Sequence, residues 1–253
     1  ETQQRIALLN NPKVVYHRVG YNSGPSGAAE IGLNILASEG YDWIYWGDDD
    51  DPPIYNDTFE ILLKKAELTE NCGCIGVVGQ YFNTKNGLMV RVPDDRLEGN
   101  GVIEVDTIAG GMCKIVNADV CLKKNVYPDS SLFFGFEELD FDLRLQQAGY
   151  VLAVDKELYK RHRLKFNRIG LQVKRGQKKD QNQIRRDYYS IRNSLIILKN
   201  NKLFLAFFIT IMRSFFKTVS GFRHGISYGN ANARVILYAI IHFLLGKRGK
   251  VSI

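Results

Sequence analysis

Two groups of carboxylates and one histidine carry the chemical signal in this 253-residue chain. Asp48-Asp49-Asp50-Asp51 follow the aromatic run Trp43-Ile44-Tyr45-Trp46. In extended backbone Asp48 and Asp50 point the same way. Paired hard oxygens suit Mg²⁺ or Mn²⁺, which complete their shells with water and substrate phosphate. The run is either a solvated acidic turn closed by Pro52-Pro53 or a charge cluster neutralised by a cation. Its place after a strand favours the second reading, because ligands of open α/β sheets bind at the carboxyl ends of strands. Glu137, Glu138 and Asp140 lie just behind Phe134-Gly135-Phe136. A helix macrodipole accounts for one acid at a helix start; three within four residues exceed that need. A carboxylate here can act as general base towards a substrate hydroxyl. His162, between Arg161 and Arg163, is either structural or a metal ligand, and with two aspartates it suits Mn²⁺.

The elements that must position these groups read as alternating strands and helices. Residues 1–9 look like the end of a helix, and Val14-Val15-Tyr16-His17 like a short strand. Asn22 to Ala29 is a turn of small residues, in which Gly24 and Gly27 let backbone approach a diphosphate or sugar beside a helix N-terminus. Ser26 is the expected cap of a helix to about Ser38, with Gly40 as the stop. Asp57 and Glu60 have capping-box spacing before Phe59, Leu62, Leu63 and Ala66, an amphipathic helix. Ile75 to Val78 reads as a buried strand, 80–107 as a hairpin or long loop, 137–148 as a helix and 150–154 as a strand. This order predicts a mostly parallel sheet with helices packed on it. Cys72, Cys74, Cys113 and Cys121 lack the pairing of a zinc site and read as reduced, mostly buried thiols.

Charge divides the chain. Residues 1–155 hold 12 Lys/Arg and 24 Asp/Glu, whereas 156–253 hold 22 and 3. The composition excludes a disordered chain, a collagen-like fibre and a polytopic membrane protein. The apolar runs 203–212 and 235–245 are each shorter than the roughly 20 residues that cross a bilayer, and no secretory signal is visible. Residues 184–219 interleave cations with aromatic and aliphatic runs. Such helices lie on an anionic membrane, or pack on the catalytic part or a second subunit. Nucleic acid is not an expected partner, since no binding motif is present and the apolar content is too high for a solvated basic face.

Taken in order, these segments resemble family 2 glycosyltransferases of the GT-A fold, over about residues 12 to 250. Asn22-x-Gly24-x-x-Gly27 is similar to the donor loop of that family. Trp46-Gly47-Asp48-Asp49-Asp50 looks like its Asp-x-Asp motif, and Ala109-Gly110-Gly111-Met112 like its acceptor-side glycine segment. Phe136 to Arg144 resembles the acidic catalytic motif, and Arg161-His162 the later metal-binding histidine. Arg186-Asp187-Tyr188-Tyr189-x-x-Arg192-Asn193 and Gly246-Lys247-Arg248-Gly249 are similar to the bacterial rhamnosyl- and galactofuranosyltransferase branch.

The resemblance implies an α/β, Rossmann-like mixed sheet over residues 1–165 and a basic helical region over 166–253. It implies inverting transfer from a dTDP-rhamnose or UDP-galactofuranose type of donor to a hydroxyl of a growing, lipid-linked bacterial surface glycan. Asp48, Asp50 and His162 would hold Mn²⁺ or Mg²⁺, and Asp49 would contact nucleotide or sugar. Glu138 or Glu137 would be the base. Asp140 and Arg144 would position the base or acceptor, Gly24, Gly27, Gly110 and Gly111 would border donor and acceptor, and Arg91 adds a substrate-binding candidate. The implied place is cytoplasmic, peripheral on the inner face of the plasma membrane, with self-association as a further expectation. Two departures stand out. The family commonly has Asp as base where this chain has Glu137-Glu138. Its first strands, which grip the nucleotide base, have no counterpart before Glu1, so the chain is expected to be a fragment. The competing expectation is a non-catalytic, membrane-associated binding module of a glycan-assembly complex.

Overall fold

A computed structural model describes residues 2–48, 50, 52–171 and 178–251. The first half contains α1 (Thr2–Leu8), α2 (Gly24–Ser38), β1 (Trp43–Trp46), α3 (Thr58–Glu67), β2 (Cys72–Gly76), β3 (Gly79–Asn83), β4 (Leu88–Arg91), β5 (Val102–Glu104) and β6 (Thr107–Ile108). There follow β7 (Lys114–Asn117), α4 (Ala118–Lys124), α5 (Glu137–Gln147), β8 (Val151–Asp155) and α6 (Lys156–Lys165). Three long helices close the chain: α7 (Gln181–Asn200), α8 (Phe204–Gly221) and α9 (Ile226–Leu244).

Every residue of β2 is buried, which places it at the centre of a five-stranded mixed sheet ordered β1-β7-β2-β8-β5. β2 and β8 are parallel, while β7 runs antiparallel to both β1 and β2, and β5 antiparallel to β8. So β1, β2 and β8 share a direction, but only one neighbouring pair is parallel. The expected mostly parallel sheet is corrected to a mixed one, because Lys114-Ile115-Val116-Asn117 inserts between β1 and β2. A second sheet, β4-β3-β6, contains the hairpin expected within 80–107. Two apolar layers flank the main sheet. One gathers Leu33, Ile44, Trp46, Val116, Phe141 and Leu152. The other gathers Leu62, Ala66, Ile75, Ile115 and Leu158.

Several local expectations are corrected. Val14 to His17 is exposed and pairs with no strand among the described residues, so nothing covers its apolar side chains. Helix α2 starts earlier than expected, with Ser23 at the N-cap and Pro25 in the first turn. Ser26 is buried inside it and donates its hydroxyl to the Asp129 carbonyl at 2.5 Å. Asp57 precedes α3 but makes no capping hydrogen bond; it faces Arg161 at 3.5 Å instead. All four cysteines are buried and outside any disulfide, and burial raises the thiols of Cys72 and Cys121 to about 12 and about 11.

The basic region shares core with the α/β part: Ile196, Ile197 and Leu198 of α7 pack with Phe82, Leu132, Leu139 and Leu143. The two apolar runs read from the sequence extend into longer helices. Among the described residues one stretch, Phe204–His224, is long and apolar enough to cross a membrane by length and composition.

Candidate functional site

Asp48 follows β1 directly and closes a cleft of about 290 Å³ between α2 and β1. Ala28, Ala29 and Gly32 form the smooth wall of this cleft on α2, and Tyr45, Trp46 and Gly47 line the other side. A helix packed on an edge strand through residues without bulk leaves room for a ligand at the strand's carboxyl end. Asp50 sits in the following turn and is exposed. Asp49, expected to touch nucleotide or sugar, lies outside the described residues.

The glutamate pair reaches this corner through the Gly110–Met112 turn. Gly110 donates its N–H to Glu138 Oε1 at 3.3 Å. A Cβ on Gly110 would stand 3.2 Å from the Trp46 ring nitrogen and 3.6 Å from the Glu138 carboxylate, so glycine allows all three to meet. Glu137 is buried at 5 % exposure, and its Oε2 has no hydrogen-bond partner. Burial foremost, then the neighbouring Glu138, with Asp48 adding to it, raise its pKa to about 8. Asp48 and Glu138, distant in sequence, are thus both joined to Trp46, one along the chain and lining the same cleft, the other through the Gly110 turn.

A buried ion pair sets that spacing. Lys114 on β7 meets Asp142 on α5 at 2.5 Å, both side chains fully buried. Asp142 also accepts from the Thr107 hydroxyl (2.8 Å) and the Ile108 N–H (2.9 Å). The ammonium lies 4.7 Å from the Trp46 ring and 5.0 Å from Phe141. It thus braces the end of β1 against the helix that carries the glutamates.

His162 lies within α6, the helix that follows β8, and is buried. It lines a small recess with Pro52, Tyr55, Thr58, Gly111 and Met112. The recess thus borders Pro52 and the Gly110–Met112 turn. Arg163 fixes this helix, donating to the Val92 carbonyl at 2.7 Å and pairing with Asp94. Among the described residues no group of three or more His, Cys, Asp or Glu is arranged to hold a metal ion. Asp48 and Asp50 supply hard oxygen donors past the end of β1. Those features fit a divalent cation.

Asp140, Arg144 and Arg91 are placed elsewhere. Asp140 pairs with Arg144 at 2.7 Å, and both line a separate recess with Asp129, Asn200 and Asn201. Two positions beyond Glu138, Asp140 points about 200° round the helix from it. Arg91 pairs with Asp94 at 2.7 Å and donates to the carbonyls of Arg168 and Leu171. It ties β4 to the turn after α6. Gly24 has φ +69°, and a Cβ there would strike the Phe133 carbonyl oxygen at 2.1 Å; its role is close contact with the loop before α5. Gly27 is buried within α2.

The loop carrying the glutamates is strained, and the sequence motif around Arg192 explains how it is held. Phe133 (φ 66°, ψ −56°) makes a γ-turn in which the Phe134 N–H donates to the Leu132 carbonyl at 2.8 Å. Phe136 is also left-handed (φ 67°). Such conformations cost about 1–3 kcal/mol each for bulky residues. Asn193, fully buried, donates its amide to the carbonyls of Leu132, Phe134 and Gly135 at 3.0, 2.9 and 2.8 Å. Arg192, also buried, donates to Leu132 and Gly249 carbonyls, both at 2.9 Å. The sequence reading used this motif only as a likeness and missed its brace; two adjacent polar residues inside an apolar helical face are the signal. Asn193→Ala is expected to lower stability by about 1–3 kcal/mol, read as a fall in Tm by calorimetry.

A pH effect follows from Glu137. Its carboxyl rises from 4.5 to about 8 in the fold, so its contribution to stability is fully present below the unfolded value and lost as pH rises through about 8. Tm is expected to fall between about pH 5 and about pH 9 by the equivalent of a few kcal/mol. Glu137→Gln removes most of that slope; an unchanged slope would show that this carboxyl is not the titrating group.

No protein-family model and no curated protein sequence matches the chain.

Proposed function

We propose that this protein is a metal-dependent inverting glycosyltransferase of GT-A type. It moves a sugar from a nucleotide-diphosphate donor, of the dTDP-rhamnose or UDP-galactofuranose class, to a hydroxyl of a growing, lipid-linked bacterial surface glycan. One observation carries this reading: Asp48 lines the cleft with Trp46 past the carboxyl end of β1, and Glu138 accepts from the Gly110 N–H in the turn packed on that same Trp46. A cation-binding corner and a basic carboxylate beside one cleft are what transfer from a diphosphate needs.

Asp48 and Asp50, with His162 as the third candidate ligand, would hold Mn²⁺ or Mg²⁺, which when bound neutralises the departing diphosphate. The smooth α2 wall admits the donor up to Asp48. Glu137 is held as the neutral acid at neutral pH by its burial, so the role of base falls to Glu138, which is only half-buried. Glu138 takes the proton of the acceptor hydroxyl. That oxygen forms the new bond to the anomeric carbon from the face opposite the phosphate, whose oxygen leaves with the bonding pair. The Gly110 N–H holds one Glu138 oxygen and so orients the carboxylate.

The test is release of nucleoside diphosphate from a panel of nucleotide sugars, with a glycan acceptor and Mn²⁺. Acceptor-dependent release that stops on chelation is the expected result. No release from any donor, together with no nucleotide binding, would overturn the reading.

A further inference from the structure

Helix α8 carries an apolar face that the protein does not cover. Phe204, Leu205, Phe208, Met212, Phe216 and Val219 are 55–72 % exposed, and at 100° per residue they fall within one third of the helix circumference. The other face is committed to the protein. Ala206, Ser214 and Gly221 are buried, Phe207 meets Phe243 of α9 at 5.5 Å, and Asn232 of α9 donates to the Lys217 carbonyl at 2.9 Å. These contacts make α8 and α9 antiparallel. A helix with one side packed and one side bare along its length lies along a surface and does not cross it.

Charge identifies the surface. From Tyr188 to the last residue the sequence has ten Lys/Arg and no Asp or Glu. Because α9 ends where α8 begins, Lys199 and Lys202 before α8 share an end of the helix pair with Lys247 and Lys250 after α9, while Arg248 pairs with Asp129; Lys199 lies 5.8 Å from the Phe243 ring. Two copies meeting through this face would set cations against cations in either orientation, since Arg213, Lys217 and Arg223 lie towards the other end of α8 and no acid follows Tyr188, and like charges across an interface oppose association. An anionic bilayer offers both complements, acyl chains for the aromatic stripe and headgroups for the cations.

We propose that the exposed face of α8 inserts in the plane of an anionic membrane surface, with the cations at the joined ends of α8 and α9 among the headgroups. The α7 part of the basic region, expected from the sequence to share this role, is instead largely buried in the core. The proposal rests on this face alone and not on the transfer reaction, so vesicle binding and sugar transfer are read separately.

Co-sedimentation of the purified protein with phosphatidylcholine vesicles, with and without phosphatidylglycerol, tests it. Binding that requires phosphatidylglycerol and weakens with salt is expected. Phe208→Ser/Phe216→Ser should reduce the bound-to-free ratio at least about tenfold with Tm unchanged, since both side chains are solvent-exposed. Lys202→Glu/Lys247→Glu should reduce binding at low salt. Three results would overturn the proposal: no binding to anionic vesicles, equal salt-independent binding to both compositions, or a concentration-dependent dimer abolished by the double serine variant, which would assign the face to a second copy.

Discussion

Glu138→Gln is expected to lower sugar transfer by about 10²–10⁴-fold while leaving nucleotide affinity and Tm unchanged. The amide keeps an oxygen for the Gly110 N–H, so the contact at 3.3 Å survives and only the capacity to take a proton is lost. Glu137→Gln should behave differently. Glu137 is buried, with burial as the main cause of its raised pKa, so its amide variant should retain much of the activity while altering the pH dependence of stability. The comparison is made by steady-state kinetics on both variants. Full activity in Glu138→Gln, with loss in Glu137→Gln, would exchange the two roles.

Asp142→Ala has the largest expected effect on the fold. It leaves the Lys114 ammonium uncompensated at zero exposure and removes the acceptor used by Thr107 and Ile108. Breaking a buried pair in this way costs about 3–5 kcal/mol, a fall in Tm of roughly 10 °C. The double variant Lys114→Met/Asp142→Asn removes both charges but keeps an acceptor for the Ile108 N–H. It should recover at least half of the loss, measured by denaturant unfolding. If the double variant is no more stable than Asp142→Ala, the pair is not the brace described. Because the ammonium packs against Trp46 and Phe141, the single variant should also weaken ligand binding at the Asp48 corner.

The parts of the fold legible in the sequence are those whose stabilisation is local. The spacing of Leu62 and Ala66 marks α3 because that stripe is the buried face. Glu137 to Gln147 is readable from its acidic first turn and its apolar Phe141 and Leu145. What could not be read depends on partners distant in sequence. β7 is four residues of mixed character whose antiparallel place between β1 and β2 is set by tertiary pairing. Helix α6, Lys-Glu-Leu-Tyr-Lys-Arg-His-Arg-Leu-Lys, looks solvated, yet Arg163 is buried because Asp94 and a carbonyl receive it.

The site shows the same division. Residue type and order singled out Asp48 and the glutamate pair, and the fold joins both to Trp46, Asp48 along the chain and Glu138 through the Gly110 turn. Nearness in sequence does not carry Asp140 and Arg144 to the Gly110 turn: they line a recess with Asp129 and the end of α7. A lone arginine on a short strand gives no hint of the carbonyls of Arg168 and Leu171 that engage Arg91. The Asn193 brace shows in the sequence only as two polar residues on an apolar helical face, since its three acceptors are backbone carbonyls of a loop some sixty residues earlier.

The central claim is that the Asp48 corner joins a divalent cation to a nucleoside diphosphate. Calorimetric titration of a nucleoside diphosphate into the protein, with Mn²⁺ and again with chelator, tests it most directly. The account predicts saturable binding only with Mn²⁺, lost in Asp50→Ala and retained in Glu138→Gln. Binding indifferent to chelation, undiminished binding by Asp50→Ala, or no binding in either condition would contradict it.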